Sequence, residues 1–335
     1  VPLLDVVVIG GTNVDCKSRP AGALVLGTSN PGRTTCTPGG VGRNVAEALA
    51  LMGASVALVS VVGDDAFGAF VLDRTSAAGV DLDAVRVLPG AATGTYTVVL
   101  DERGELCVAV ASMEATSALD LHDVERAALS VRPGGRLVID ANLEPALVAH
   151  ALVVADACGI ETALDPVSVP KAARVAAALT GAPLGLLTPN LAELRALAPF
   201  AEGDLATACR SLHDRGVQVV WVRDGARGSW VVEPGHEPVH VPSPPLTDVA
   251  DVTGAGDAAL AGYLWAALDG RPPVEAAHIG TAAARCTLRA SGSVAGDLAT
   301  AVRSASSRAV EAHATAGPAT AGPTATDRPS PEEQP

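Results

Sequence analysis

Aromatic side chains are nearly missing from this chain: three Trp, two Tyr and three Phe make up 2% of its 335 residues. Hydrophobic residues still reach 48%, so the core has to be built from Ala, Val and Leu. Basic residues are also scarce, with 23 Lys and Arg against 37 Asp and Glu and a net charge of −14. That balance argues against DNA or RNA as a partner, yet allows a small nucleotide in a locally basic cleft. The six cysteines (Cys16, Cys36, Cys107, Cys158, Cys209 and Cys286) form no Cys-x-x-Cys and have no His beside them. Their scatter predicts reduced thiols in a cytosolic protein, with neither disulfides nor a zinc site. No apolar run is long enough to span a membrane, and the opening Val1-Pro2-Leu3-Leu4-Asp5 lacks the basic region of a signal peptide. The expectation is a soluble, cytoplasmic protein.

What the chain does have is a regular alternation. Val6-Val7-Val8-Ile9-Gly10-Gly11 reads as a buried parallel strand ending in glycine. A helix over 41–52, a strand over 55–61 and a helix over 65–78 follow. The rhythm resumes with a strand over 136–140, a helix over 144–155, a strand over 160–165, a helix over 171–179 and a strand over 184–188. Such alternation predicts βαβ units and a mostly parallel sheet flanked by helices. Residues 14–37 and 94–111 hold no helical pattern. The second stretch reads as a hairpin, turning at Asp101-Glu102-Arg103-Gly104, that serves either as a flap over a ligand or as a plain edge hairpin. Beyond about Ala312 the chain turns to Ala, Thr, Gly and Pro, which predicts a disordered tail over 312–335 after a domain over 1–311.

Asp251-Val252-Thr253-Gly254-Ala255-Gly256-Asp257 carries the most chemistry, because a small-residue helix follows at once over 258–268. Gly254 and Gly256 allow close approach to a ligand, and the N–H groups of Ala255, Gly256 and Asp257 would face an anion at a helix start. With the Asp257 carboxylate on the rim, this suits phosphoryl transfer: the hole takes the charge and the Asp takes a hydroxyl proton. The alternative is a glycine loop capped by Asp. Gly40-x-Gly42 stands too far behind its strand for a dinucleotide fingerprint. Gly39 and Gly40 suit instead the close approach of a polar small molecule, with Asn44 one turn on. Asp15 leaves the end of the first strand, where it could hold a diol or close an Asx turn. Asn190 and Glu193 share a helical face and either reach a phosphate–metal cluster or form a capping box. No Gly-x-x-x-x-Gly-Lys-Ser/Thr loop occurs, so P-loop chemistry is excluded.

Taken together, Gly39-Gly40 with Asn44, the run from Val62 to Gly68 followed by Gly79-Val80-Asp81, Asn190-x-x-Glu193, Gly225-Ala226-Arg227-Gly228 and Asp251-x-Thr253-Gly254-Ala255-Gly256-Asp257 resemble the ribokinase-like (PfkB) carbohydrate kinases over residues 5–305. Thr28 to Gly32, Thr37 to Asn44, and Asp165-Pro166-Val167-Ser168 with Lys171 are similar to the pseudouridine kinase branch. The resemblance implies a ribokinase-like three-layer α/β sandwich with a small β-sheet lid from about 12–38 and 90–112. It implies ATP and Mg²⁺ as cofactors, a nucleoside or sugar acceptor phosphorylated at its 5′-hydroxyl, K⁺ as a monovalent cation, and a lid-mediated homodimer. In that reading Asp257 is the base and Gly254, Ala255 and Gly256 form the anion hole. Asp15, Gly39, Gly40 and Asn44 hold the ribose, and Ser29 and Asn30 read the base. Asn190, Glu193, Arg223, Gly225 and Gly228 serve the nucleotide, Glu193 acting indirectly on Mg²⁺, while Asp251 and Thr253 ligate the monovalent cation. Two departures stand out. Arg223-Asp224-Gly225 replaces the family's usual Thr-x-Gly, leaving Arg223 either a charged contact or turned away. Val252 replaces the first Thr of Asp-Thr-Thr-Gly.

Overall fold

The computed structural model describes residues 3–201, 204–290 and 292–316, with side chains as far as Arg308. Strand β1 (Leu4–Ile9) is buried along nearly its whole length, Val6 and Val8 facing one side of the main sheet and Val7 and Ile9 the other. The chain then leaves that sheet for β2 (Asn13–Pro20) and β3 (Gly32–Gly39), and re-enters it through helix α1 (Val41–Leu51) and β4 (Val56–Val59). Strand β5 (Val61–Gly63), α2 (Ala66–Ala77), β6 (Arg86–Leu88), β7 (Gly94–Leu100) and β8 (Leu106–Ser112) follow. Next come α3 (Leu121–Leu129), β9 (Val131–Asp140), α4 (Pro145–Ala157), β10 (Glu161–Asp165), α5 (Val169–Val175), β11 (Leu184–Leu187), α6 (Leu191–Leu197) and α7 (Leu205–His213). The described chain closes with β12 (Val217–Arg223), β13 (Ser229–Val232), β14 (Val239–Val241), α8 (Ala255–Leu268), α9 (Pro273–Thr287) and α10 (Leu298–Ala316).

Eight strands form the main sheet in the order β14-β13-β12-β11-β10-β9-β1-β4, parallel from β4 to β12 and antiparallel at β13 and β14. Helices α3 to α7 pack on the face of Val7 and Ile9, and α1, α8, α9 and α10 on the face of Val6 and Val8. These are the three layers expected of the alternation. Small residues do the packing that aromatics do elsewhere. A methyl on Gly262 of α8 would sit 2.8 Å from the Ala283 side chain of α9, so the two helices approach almost backbone to backbone. The lid is a second sheet, β3-β2-β7-β8, covering the two stretches that lacked helical period.

Several boundaries differ from expectation, each for a visible reason. The strand expected over 55–61 is two, split where the Ser60 hydroxyl donates to the Gly10 carbonyl at 2.7 Å. Strand β9 starts at Val131, five residues early, because Leu4 pairs there before the register shifts to Arg136. Helix α3, started by a capping box between Asp120 and Asp123, was not foreseen. The thiol expectation is corrected for two residues: Cys16 and Cys36 form a disulfide. Sequence spacing hides the pair, but the β2–β3 register sets the two directly opposite with Cα atoms 4.2 Å apart. Cys107, Cys158, Cys209 and Cys286 are free. Helix α10 runs to Ala316, and the rest of the expected tail lies outside the described residues.

The parallel strands β9 and β10 end in Asp140 and Asp165, and β12 in Arg223, so polar groups collect at one edge of the sheet. Asp140 ties that edge together. Its Oδ2 accepts 2.8 Å bonds from the amides of Gly11, just past β1, and Gly42, at the start of α1. Asp140→Ala leaves both buried amides without a partner, at about 1–3 kcal/mol each. Urea unfolding of that variant should show a loss of at least ~2 kcal/mol; a loss below ~0.5 kcal/mol would mean the clamp is dispensable.

Candidate active site

Helix α8 begins at Ala255 because Gly254 turns the chain with φ 77° and ψ −4°, a left-handed conformation. A methyl at Gly254 would also collide with the Ser293 carbonyl oxygen. No side chain caps this helix. The Ala255 amide reaches the Val252 carbonyl at 3.4 Å, while those of Gly256 and Asp257 find no partner among the described residues. Two unpaired amides at a helix start are able to take an anion.

Asp257 is 9% exposed, and its Oδ2 accepts a 2.8 Å bond from the Asn44 amide on α1. The Asn44 Oδ1 in turn accepts from Arg43 Nη1 at 3.0 Å. Arg43 is buried, paired with Glu47, and bonded through Nε to the Thr75 hydroxyl at 3.0 Å. Burial, seconded by the negative charge of Asp165, pushes the Asp257 pKa up to about 7, with the Asn44 bond and the Arg223 charge pulling the other way. A carboxylate with that pKa is poised to take a proton near neutrality.

On the lid side, Asp15 sits on β2 with Asn13 and Lys17, every second residue and hence one face of the strand. Asp15 accepts from Asn13 Nδ2 at 2.7 Å, and burial raises its pKa. Its carboxylate packs on Gly39, where a methyl would touch it at 2.5 Å. Gly40, with φ 98°, sits on the Gly11 carbonyl as the N-cap of α1.

Lys17 occupies the place assigned to a monovalent cation. Its Nζ donates to Asp251 Oδ2 at 2.6 Å and Thr253 Oγ1 at 2.7 Å, while Asp251 Oδ1 accepts from the Thr253 amide and hydroxyl. Burial raises the Asp251 pKa, but these bonds outweigh it and hold it below the ordinary value. Of the groups nominated for K⁺, through side chain or backbone, the side-chain oxygens of Asp251 and Thr253 bond the Lys17 ammonium.

A cavity of about 620 Å³ opens on the other side of Asp257, lined by Asn190, Glu193, Arg223, Gly225, Gly228 and Gly256. All five residues nominated for the nucleotide are there. Asn190 and Glu193 also form the capping box of α6, each bonding the other's backbone amide at 2.8–2.9 Å. Burial raises the Glu193 pKa. Glu193 Oε1 has no bond among the described residues and is free for a water of a hydrated Mg²⁺. Val167, on the same wall, has φ 67°, a costly conformation for a β-branched residue.

Ser29 is exposed in the loop between β2 and β3. The Asn30 side chain is spent on its own loop, accepting from the Val25 amide at 2.9 Å and donating to the Val25 and Thr28 carbonyls. Lys17, Arg43 and Asp140 were missed as site residues. Of these, Lys17 carried a signal in its two-residue spacing from Asp15, and Asp140 in ending an apolar strand; Arg43 carried none.

A family model described as pfkB family carbohydrate kinase matches residues 3–300. The chain belongs to this family. It is 33% identical over 274 residues to the pseudouridine kinase of Escherichia coli, spanning 81% of this chain and 86% of that protein. A carbohydrate kinase from Agrobacterium tumefaciens superposes with a TM-score of 0.76 at 29% identity, covering 90% of this chain and 96% of its own. The ribokinase of Arabidopsis thaliana, solved with ribose and ATP, shares the fold with a TM-score of 0.73 at 22% identity, covering 90% and 98%. At family level the chain is a sugar or nucleoside kinase, a phosphotransferase with a hydroxyl acceptor.

With the Asp257 pKa raised to about 7, its protonated form accumulates as pH falls below that value. The kcat/KM is expected to drop about tenfold per pH unit below ~7, where an ordinary carboxylate base would sustain it to about 4. Asn44→Ala removes a bond that lowers the pKa and should move this limb to higher pH. A pH–rate profile flat to pH 5 would show that Asp257 is not the titrating base.

Proposed function

We propose that the chain transfers the γ-phosphate of ATP to the 5′-hydroxyl of pseudouridine, giving pseudouridine 5′-phosphate. The observation that carries this reading is the buried Asp257 carboxylate beside the two unpaired amides of α8. Asp257 takes the hydroxyl proton, the acceptor oxygen attacks the γ-phosphorus, and the Gly256 and Asp257 amides hold the charge on the phosphoryl oxygens. Asp15, Gly39, Gly40 and Asn44 position the ribose on the lid side. Asn190, Glu193, Gly225 and Gly228 hold the nucleotide on the other. Mg²⁺, when bound, would supply charge neutralisation at the phosphates, and Glu193 would hold it through a water at Oε1. The Escherichia coli pseudouridine kinase supports the choice of acceptor. ATP as co-substrate fits a cytoplasmic enzyme. Leu106, Val108 and Val110 stand exposed on the edge strand β8, which supports a homodimer formed through the lid.

A second reading, a kinase of ribose or another free sugar, is favoured by one feature: the loop of Ser29 and Asn30 is bonded within itself rather than aimed at an acceptor. ATP consumption measured with pseudouridine, uridine, adenosine, ribose and fructose separates the two. Pseudouridine should give the highest kcat/KM; a higher value for ribose would sink the nucleoside reading. Asp257→Asn should bind the preferred acceptor as before and lose at least ~10²-fold in turnover, the scale of a lost general base. Near wild-type turnover would remove Asp257 from the role.

A further inference from the structure

Arg223 stands where the family pattern carries a hydroxyl residue, and the structure turns its guanidinium into the site. Its Nη1 lies against Gly256, so close that a methyl there would overlap it. Its Nη2 is committed, donating to the Thr188 carbonyl at 2.7 Å and to Asp165 Oδ2 at 3.3 Å, with Glu193 Oε2 at 3.7 Å. The other donors are idle. Nε is buried without a partner, and Nη1 makes no hydrogen bond among the described residues. Nη1 sits against Gly256, whose amide is unpaired, and Arg223 lines the same cavity as Asp257. Donors left unpaired in so enclosed a place need an account, and an anion supplies one.

We propose that Arg223 is a catalytic residue, donating from Nη1 to an oxygen of the phosphoryl group in flight. The inference rests on the kinase reading above. In the step, the acceptor oxygen bonds to the γ-phosphorus as its proton passes to Asp257. The bond from the γ-phosphorus to the bridging oxygen breaks, and ADP leaves with that electron pair. Negative charge spreads over the three equatorial oxygens of the moving group, which is where a fixed cation stabilises the transition state most. Asp165 and Glu193 hold Nη2 and so aim the other nitrogen, which needs no rearrangement on binding. Gly256 completes the arrangement, since any side chain there would displace the guanidinium.

Two variants and two ligands test this. Arg223→Ala should lower kcat by about 10²–10³-fold, the scale for losing one preorganised donor, with KM for the acceptor little changed. Millimolar guanidinium chloride should restore part of the rate. Arg223→Lys, which keeps a cation beside Asp165 and Glu193, should retain the wild-type melting temperature and still lose most of kcat. By calorimetry, Arg223→Lys should bind ADP–aluminium fluoride with acceptor at least tenfold more weakly than wild type, and AMP-PNP nearly as well. Equal weakening for both ligands, or full turnover in Arg223→Lys, would overturn the proposal and leave Arg223 as a neutralising partner of Asp165 and Glu193. A wild-type protein that phosphorylates no acceptor would instead count against the kinase reading itself.

Discussion

Four carboxylates, Asp140, Asp165, Glu193 and Asp257, lie within one edge of the sheet at 1%, 2%, 4% and 9% exposure. Burying that much negative charge is costly unless each group is supplied with donors. The fold answers with a different device for each. Asp140 takes backbone amides from β1 and α1, and Glu193 takes the amide of its own N-cap. Asp165 shares Arg223 and the Thr188 hydroxyl, while Asp257 is left with a single amide from Asn44. Burial raises the proton affinity of Asp140, Glu193 and Asp257 alike, and Asp257, with a single donor, is pushed up to about 7.

The same edge explains the dependence on small residues. Helix α8 must bring its first turn to the strand ends while lying flat against α9, and Gly262 and Gly280 remove the side chains that would hold them apart. A methyl at Gly280 would strike both the Ala259 carbonyl and the Trp221 ring. A chain with few aromatics places one of its three tryptophans there, under the cavity floor, stacked on Tyr263 at 5.2 Å. Scarcity of large side chains and closeness of backbones are one property seen twice.

Much of this could be read in advance because loops that approach ligands need glycine, and glycine is visible in a sequence. Gly39-Gly40 and Gly254-Ala255-Gly256 were legible as loops able to approach a ligand, and the structure brings them together through Asn44 and Asp257. The period-two and period-3.6 patterns also separated lid from core. What stayed hidden depends on contacts between segments distant in the chain. Cys16 meets Cys36, Lys17 meets Asp251, and Asn44 meets Asp257 through pairings that no local pattern encodes. The bonding of Asn30 within its own loop was hidden as well. A motif identified by likeness carries no information on where its loop points.

The disulfide in the lid has a consequence for the acceptor side of the centre. Along a strand, neighbouring side chains point to opposite faces, so a slip of one residue between β2 and β3 would turn Asp15, Asn13 and Lys17 away from the core together. Only hydrogen bonds resist such a slip in an ordinary hairpin, and the eleven-residue arch from Ala21 to Pro31 offers little stiffness of its own. The Cys16–Cys36 link lies one residue from Asp15 and one from Thr37, and it makes that alignment covalent. It acts as a dowel, fixing which face of the hairpin carries Asp15.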